Sequence, residues 1–394
     1  MSFSSARGLL AAGLLLGASL LPAAAVAQQP VTIGMVTTLS TSGGYLGQDV
    51  RDAFLMAIAE EDGKLGGVPV RLLVEDDGLK PADGRQIVER FLKRDNADIV
   101  TGVIFSNVAV AVAPSVLAAG KFYISPNAGP SDFAGEKCDP NYFVVSWQND
   151  SLHEAAGAYA QELGYGNAFI LAPNYPAGRD ALTGFKRFFK GNIAGEIYTK
   201  LGQKDYAAEL AQIRAANPDM VFHFLPGGMG IDFMKQYVAG GFRETTPLVV
   251  SAPSMDTRIM GALGDAALGV RSASHWNSDF DNPANRAFVE GFEAAYGRTP
   301  TAYAAQGYDT AKLIASALRA VDGDMSRQAD FRAALKRAEF DAVRGGFAFG
   351  ANNHPVQDWY SLVVEKNAAG ETVNRTTGKV LEKHGDAYAA QCRM

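Results

Sequence analysis

Hydrophobic and polar positions along the chain form short strand-like runs, each followed by a helix-like stretch. The first run covers residues 31–36, ends in a polar, glycine-rich loop and precedes a helical pattern over residues 48–61. The alternation restarts at residue 152 and continues to residue 251. Strands that alternate with helices indicate right-handed crossovers and mainly parallel sheets. The pattern therefore predicts an α/β fold with two sets of βα units, joined near residues 146–150.

The last third of the chain has a different pattern. Two long helices are predicted over residues 283–296 and 302–321, and a third over residues 328–337. Strand-like runs follow at residues 343–349 and 359–365. Because no proline- or serine-rich linker separates this part, we expect the chain to return to an earlier lobe rather than to build a third domain.

The N-terminus carries the layout of an export signal. A short segment with one positive charge precedes the apolar residues 8–25, and Ala25-Val26-Ala27 has the small-x-small pattern of a cleavage site. We expect residues 1–27 to be a cleaved secretory signal peptide. A membrane anchor is the alternative, but the apolar run is rich in alanine and glycine and is broken by Pro22. No later segment is long and apolar enough to span a membrane, so the mature chain is expected to be soluble.

Composition and charge narrow the class of protein. The chain of 394 residues is too long for one core, and 47% hydrophobic with 20% charged residues is ordinary for a globular protein. A net charge of -6 disfavours nucleic acids and anionic membrane surfaces as partners. In an oxidising compartment, the two cysteines, Cys138 and Cys392, predict one disulfide. Two buried free thiols are the alternative.

Signatures of catalysis and of metal binding are missing from the sequence. The five histidines lack metal-ligand spacing, and there is no nucleophile elbow or phosphate-binding loop. His153-Glu154 is interpreted as part of a solvated helix face, and Asp76-Asp77 as a solvated turn at a strand end. We therefore expect no enzyme, no cofactor and no metal site, with a secreted hydrolase as the minor alternative.

Several segments, in their order along the chain, resemble the type I periplasmic binding proteins of the leucine/isoleucine/valine-binding group. The matching segments are Val31-Thr32-Ile33-Gly34, Leu39-Ser40-Thr41-Ser42-Gly43, Gly102-Val103-Ile104-Phe105-Ser106, Ile124-Ser125-Pro126-Asn127-Ala128, Phe143-Val144-Val145, Asn149-Asp150, Asp281-Asn282-Pro283-Ala284-Asn285, Ala304-Ala305-Gln306-Gly307-Tyr308-Asp309 and Arg344-Gly345-Gly346-Phe347. The resemblance implies two doubly wound lobes joined by a three-crossover hinge, with crossovers near residues 146–150, 275–279 and 352–358. Residues 28–147 with 278–353 would form lobe 1, and 148–277 with 354–394 would form lobe 2 and a C-terminal tail.

The resemblance places a ligand site where strands end in the cleft, as open α/β sheets generally arrange it. Phe105, Ser106 and Asn107 lie where a strand gives way to a helix, whose N-terminus attracts anions. A serine at the matching position contacts the ligand carboxylate in the family, although capping of the helix alone is the alternative. Asn127, Ala128 and Gly129 match the second carboxylate contact, made partly by backbone N–H groups. The family often has a hydroxyl side chain in this loop, and here it would come from Ser131.

The second lobe is expected to cover the ligand. Tyr175 matches a family tyrosine that closes over the ligand, with surface packing as the alternative. Gly227 and Met255 occupy the next two ligand loops. Amino-acid binders of the family place an acid near Met255 to pair with the ligand ammonium, whereas here the nearest acid is Asp256. A buried ammonium without a carboxylate partner is costly, so an α-amino acid is disfavoured.

The remaining predicted lining is aromatic. Tyr45, Phe105, Met255 and the pair His275-Trp276 would form an apolar cleft suited to an aromatic carboxylate such as a benzoate or cinnamate. Residues 353–360 also resemble family members associated with aromatic acids. The expected role is the periplasmic substrate-binding component of an ABC uptake transporter, a monomer that delivers its ligand to inner-membrane permease subunits. A binder of branched-chain or other hydrophobic amino acids or amides, and a ligand-sensing receptor, are the alternatives.

Overall fold

A computed structural model describes residues 1–3 and 29–394, so nearly all of the predicted signal peptide lies outside the described residues. The strands are β1 (Val31–Thr37), β2 (Lys64–Leu65), β3 (Val68–Asp76), β4 (Ile99–Thr101), β5 (Phe122–Ser125), β6 (Tyr142–Val144), β7 (Asn167–Pro173), β8 (Asn192–Thr199), β9 (Met220–His223), β10 (Leu248–Ser251), β11 (Arg271–Ser274), β12 (Phe347–Phe349), β13 (Pro355–Lys366) and β14 (Thr372–His384). They form two sheets, in the orders β2-β3-β1-β4-β5-β6 and β12-β13-β11-β10-β9-β7-β8, with β14 paired to β13.

The helices cover the faces of these sheets. They are α1 (Gly44–Ala59), α2 (Pro81–Lys93), α3 (Ser106–Ala118), α4 (Asn149–Glu162), α5 (Pro176–Phe188), α6 (Ala207–Ala216), α7 (Gly228–Ala239), α8 (Thr257–Leu263), α9 (Pro283–Tyr296), α10 (Ala302–Ala320) and α11 (Gln328–Arg337). Within residues 1–3 and 29–394, no helix is long and apolar enough to cross a membrane.

Parallel pairing dominates both sheets. β1 pairs in parallel with β3 and β4. β5 pairs in parallel with β4, and β6 pairs in parallel with β5. In the second sheet β8, β7, β9, β10 and β11 are parallel, while β12, β13 and β14 are antiparallel. All seven residues of β1 are buried, as expected for a strand covered on both faces. The two-lobed α/β prediction is confirmed.

The helical last third packs against the first lobe. α10 packs along α1, and a Cβ at Gly307 would lie 2.3 Å from the carbonyl oxygen of Val50. The contact thus requires a glycine at this position. The Thr301 hydroxyl also donates to Asp49 Oδ2 at 2.7 Å. Helices α9 to α11 therefore belong to lobe 1.

The chain crosses between the lobes three times, which confirms the predicted hinge. The first crossover joins β6 to α4, and the second joins β11 to α9. The third lies within β13, because the turn before it contacts lobe 1 through the N–H of Val144 and the carbonyl of Asn353, whereas its later residues pair with β11. The buried side chain of Arg344 donates from Nη1 to the carbonyls of Val145 and Ser146 and to Gln357 Oε1, so it joins the first and third crossovers.

The C-terminal segment is the part that the hydrophobic pattern did not predict. β14 is a half-buried to exposed strand of mixed polar sequence, and within the described residues it pairs with β13 alone. After it, the chain runs back to lobe 1, where Cys392 forms a disulfide with Cys138. On the way, the hydroxyl of Tyr388 donates to Asp150 Oδ2 at 2.9 Å. The tail therefore lies across the hinge.

Candidate functional site

A small, narrow cavity lies between the two lobes, where strands of both sheets end. Its lining residues are Leu46, Ile104, Phe105, Ser106, Asn127, Trp147, Asn149, His153, Tyr175, Ala177, Phe224, Pro226, Pro253 and Tyr303. Four predicted site residues line it, namely Phe105, Ser106, Asn127 and Tyr175.

The wall from lobe 1 is built on the N-terminus of α3. Ser106 is the first residue of this helix, and its Oγ accepts a hydrogen bond from Asn149 Nδ2 at 3.1 Å. Because that bond uses a lone pair, the hydroxyl hydrogen of Ser106 remains free to donate to a ligand. The first backbone N–H groups of α3 also lack intrahelical partners. The N-cap position of α3 is occupied by Phe105, so Ser106 lies one residue inside the helix.

The loop after β5 contributes differently from what the sequence predicts. The N–H of Gly129 donates to Asn149 Oδ1 at 3.2 Å, and a Cβ there would lie 2.1 Å from the carbonyl of Trp147. The glycine thus permits contact with the first crossover rather than with a ligand. The carbonyl of Ala128 accepts from Ser125 within lobe 1. Ser131 bonds to Asp180 of lobe 2, at 2.7 Å from its hydroxyl, so it joins the lobes.

Two amide side chains near this wall retain unused acceptors. Asn127 Nδ2 donates to the carbonyl of Ile104 at 2.7 Å, and Asn127 Oδ1 is buried with no partner among the described residues. Asn107 follows Ser106 in α3, and its Oδ1 is also buried with no partner among the described residues. Only Asn127 of this pair lines the cavity.

The wall from lobe 2 is largely aromatic. The ring of Tyr175 lies 6.4 Å from that of Phe224 with only 11° between their planes, and 6.2 Å from the ring of Phe105 across the cleft. The imidazole of His153 meets Phe224 edge-on at 4.6 Å. Tyr175 therefore lies between the lobes.

Four other predicted residues lie outside the cavity lining. The hydroxyl of Tyr45 donates to Asp256 Oδ2 at 2.7 Å, which joins lobe 1 to lobe 2. Gly227 lies against the loop of Ser42 in lobe 1, with φ of 70°. Met255 packs into the core of lobe 2. His275 packs against Trp147 at 5.0 Å and Trp359 at 5.9 Å, so its ring lies in the hinge.

The remaining lining residues were not predicted as site residues. Phe224 and Pro226 follow β9, where a doubly wound sheet places its ligand loops, so topology could have identified them. Asn149 and His153 lie one turn apart on α4, and no sequence signal separates their side from the rest of that helix. The interpretation of His153-Glu154 as solvated was wrong, because each residue is 1% exposed. Asp77 is likewise buried, and it accepts a hydrogen bond from Thr38 at 2.6 Å.

Charge is arranged around the cavity rather than in it. None of the lining residues is an acid, a lysine or an arginine. Asp256 is bound by Tyr45 and by two N–H groups of α8, and burial raises its pKa to about 6. Burial and the neighbouring Asp150 raise the pKa of Asp180 to about 6. Burial lowers the pKa of His153 to about 3, so the imidazole is neutral at pH 7.

Comparison with known proteins shows the family of the chain. The family model described as periplasmic binding protein matches residues 30–370. The Leu/Ile/Val-binding protein homolog 6 of Brucella melitensis is 25% identical over 378 residues, which cover 93% of this chain and 95% of that protein.

Solved structures with this fold include several solute-binding proteins. One from R. palustris, in complex with benzoate, has a TM-score of 0.87 and 29% identity, and covers 93% of this chain and 100% of its own. An ABC transporter substrate-binding protein from Sphaerobacter thermophilus has a TM-score of 0.84 and 30% identity over 91% and 99% of the two chains. One from Rhodopseudomonas palustris BisB5, in complex with 3,4-dihydroxy benzoic acid, has a TM-score of 0.83 and 25% identity over the same shares. The chain therefore belongs to the periplasmic binding protein family, as a two-lobed solute-binding protein of the type that serves ABC transporters.

Proposed function

We propose that the protein is the periplasmic substrate-binding component of an ABC uptake transporter and captures a small aromatic carboxylate, such as a benzoate or cinnamate derivative. The observation that carries the proposal is the composition of the interlobe cavity. It combines aromatic side chains from both lobes with the N-terminus of α3, and its lining has no charged side chain. Such a cavity favours a ligand with an apolar ring and one anionic group.

The anionic group would lie at the N-terminus of α3. The free N–H groups and the partial positive charge of a helix N-terminus stabilise a carboxylate without a cationic side chain. The hydroxyl of Ser106, oriented by Asn149 at 3.1 Å, adds a donor on the same side.

An α-amino acid fits this cavity less well. Its ammonium would need a carboxylate partner, because an unpaired buried charge is costly. Asp256 is the acid closest to the predicted position, and it is already bound by Tyr45 and by the first turn of α8. The curated relatives carry the name Leu/Ile/Val-binding homologues, so leucine is the natural competitor to test.

A neutral amide is a second candidate, and one atom favours it. The buried acceptor Asn127 Oδ1 in the cavity wall has no partner among the described residues, and an amide N–H would satisfy it. Benzamide has nearly the shape of benzoate without the charge. The ratio of the two affinities therefore separates an anion site from an amide site.

Binding would proceed by closure of the hinge. Ligand contacts to both walls shift the population toward the closed form, in which Tyr45 meets Asp256 and Ser131 meets Asp180. The closed monomer would then dock on permease subunits in the inner membrane, and it would bind its ligand without converting it. Residues 1–27 would direct export and be removed.

A thermal-shift panel tests the proposal. Benzoate, 4-hydroxybenzoate, cinnamate, benzamide, leucine and valine are compared at saturating concentration, since a ligand that binds only the folded state raises the melting temperature. Stabilisation by at least one aromatic carboxylate and none by leucine or valine is expected. Stabilisation by leucine or valine alone would show that the ligand assignment is wrong.

A further inference from the structure

His153 is the one histidine in the lining of the interlobe cavity. It lies in α4, is 1% exposed, and contacts Phe224 and Phe222 with its ring edge-on at 4.6 and 5.8 Å. Its Nδ1 is buried and has no hydrogen-bond partner in the part of the chain that the structure describes. Buried polar groups are nearly always paired, so this nitrogen calls for a partner.

His223 shows that burial without a partner is not what distinguishes His153. Neither nitrogen of His223 has a partner among residues 1–3 and 29–394, and burial lowers its pKa to about 3 as well. Its ring packs against Phe233 at 4.8 Å, in the core on the opposite face of the second sheet. The two histidines therefore share burial and charge state, and they differ in that His153 lines the cavity.

The spacing along α4 relates His153 to the anion-binding wall. Asn149, which contacts Ser106, lies four residues before His153, so the two side chains are on the same side of the helix and about 6 Å apart along its axis. That separation is comparable to the span of one substituted aromatic ring. A carboxylate at Ser106 would thus direct the far end of the ring toward the imidazole.

We propose that His153 is a specificity-determining residue that selects aromatic acids with a hydroxyl group on the ring, meta or para to the carboxylate. A neutral imidazole has one acceptor and one donor nitrogen, so it can pair with a phenolic hydroxyl and carries no charge into the cavity. An unsubstituted ring would leave it unpaired. A site built to pair with a hydroxyl discriminates strongly against a ligand that lacks one. The inference rests on the proposed function.

Titration calorimetry of three proteins tests it: wild type, His153→Phe and the matched control His223→Phe. Benzoate, 3-hydroxybenzoate and 4-hydroxybenzoate are titrated into each. For wild type, at least one hydroxylated acid is expected to bind about tenfold more tightly than benzoate. His153→Phe should remove this ratio, while His223→Phe should retain it, even where its melting temperature falls.

Each result has a distinct meaning. If wild type binds benzoate at least as tightly as both hydroxybenzoates, the role of His153 is overturned, and this comparison needs no variant. An unchanged ratio in His153→Phe overturns it as well. In both cases the proposed function stands, because an aromatic acid binds. If wild type binds leucine and no aromatic acid, the proposed function and the inference fail together.

Discussion

The two walls of the interlobe cavity differ in chemistry. Lobe 1 presents the first turn of α3, the hydroxyl of Ser106, which accepts from Asn149, and the amide of Asn127, which donates to the carbonyl of Ile104. Lobe 2 presents the rings of Tyr175 and Phe224. The first wall can recognise a charged group in a fixed geometry, whereas the second surrounds the neutral imidazole of His153 with apolar rings. The difference suggests that lobe 1 determines which end of the ligand binds and that lobe 2 determines how tightly the cleft closes.

Removal of the hydroxyl from the lobe 1 wall should have the largest effect. Ser106→Ala deletes a donor to the ligand carboxylate, and hydrogen bonds to charged groups contribute about 1.5–3 kcal/mol. We expect the affinity for benzoate to fall about ten- to hundredfold in titration calorimetry. Ser115→Ala, in the same helix and outside the cavity lining, is the control. An equal loss in both variants would mean that α3 acts through its stability alone.

Truncation of the lobe 2 wall should have a smaller effect. Phe224→Ala removes a ring that contacts Tyr175 and His153, and aromatic pairs contribute about 0.5–1.5 kcal/mol beyond their buried area. We expect about a tenfold loss of affinity for aromatic acids. Phe224→Leu, which keeps most of the apolar surface, should lose less. A larger loss for Phe224→Ala than for Ser106→Ala would reverse the assigned roles of the two walls.

The carboxylates that join the walls should make closure dependent on pH. Burial raises the pKa of Asp256, and burial together with Asp150 raises that of Asp180, each to about 6 from an ordinary 3.8. Because the raised pKa belongs to the closed form, closure takes up protons. The stabilisation of the closed form by this proton uptake is complete below the ordinary pKa of 3.8 and is lost as the pH rises through about 6.

The affinity for benzoate, which stays ionised over this range, is therefore expected to fall between pH 5.5 and 7.5. Each carboxylate contributes up to about fourfold. Asp180→Asn and Asp256→Asn should each reduce the fall in affinity between pH 5.5 and 7.5 by up to about fourfold. The asparagine at position 256 can still cap α8. An affinity that rises with pH in wild type would contradict the assignment.

The C-terminal tail belongs to neither wall, so loss of the disulfide that fastens it should affect binding least. The disulfide joins Cys138 and Cys392, which are 254 positions apart in the sequence. Replacement of both cysteines by serine should lower the free energy of unfolding by about 2–5 kcal/mol, measured by denaturant titration. We expect the affinity for benzoate to change little. A loss as large as that of Ser106→Ala would show that the tail, rather than the walls, controls closure.

The parts of the site that follow from topology could be predicted from the sequence. Ser106 and Tyr175 each begin or immediately precede a helix after a strand end, and a doubly wound sheet brings such positions to the cleft. The direction of a side chain within a loop could not be predicted. Met255 lies in the expected loop but packs into the core of lobe 2, and His275 packs in the hinge.

Buried polar residues on α4 were missed for a related reason. The carboxylate of Glu154 pairs with Arg187 and His384, which are distant in sequence, so its burial depends on tertiary contacts. A polar pair such as His153-Glu154 in a helical pattern therefore resembles a solvated face until these partners are known. The cavity-facing position of His153 follows from the same packing.

The central claim is that the cavity accepts a ring with one anionic group and has no partner for an ammonium. Titration calorimetry of the mature protein with 4-hydroxybenzoate and, separately, with L-leucine tests it most directly. The account predicts saturable binding of 4-hydroxybenzoate with one site per chain and no heat of binding for leucine. Saturable binding of leucine without binding of 4-hydroxybenzoate would contradict it.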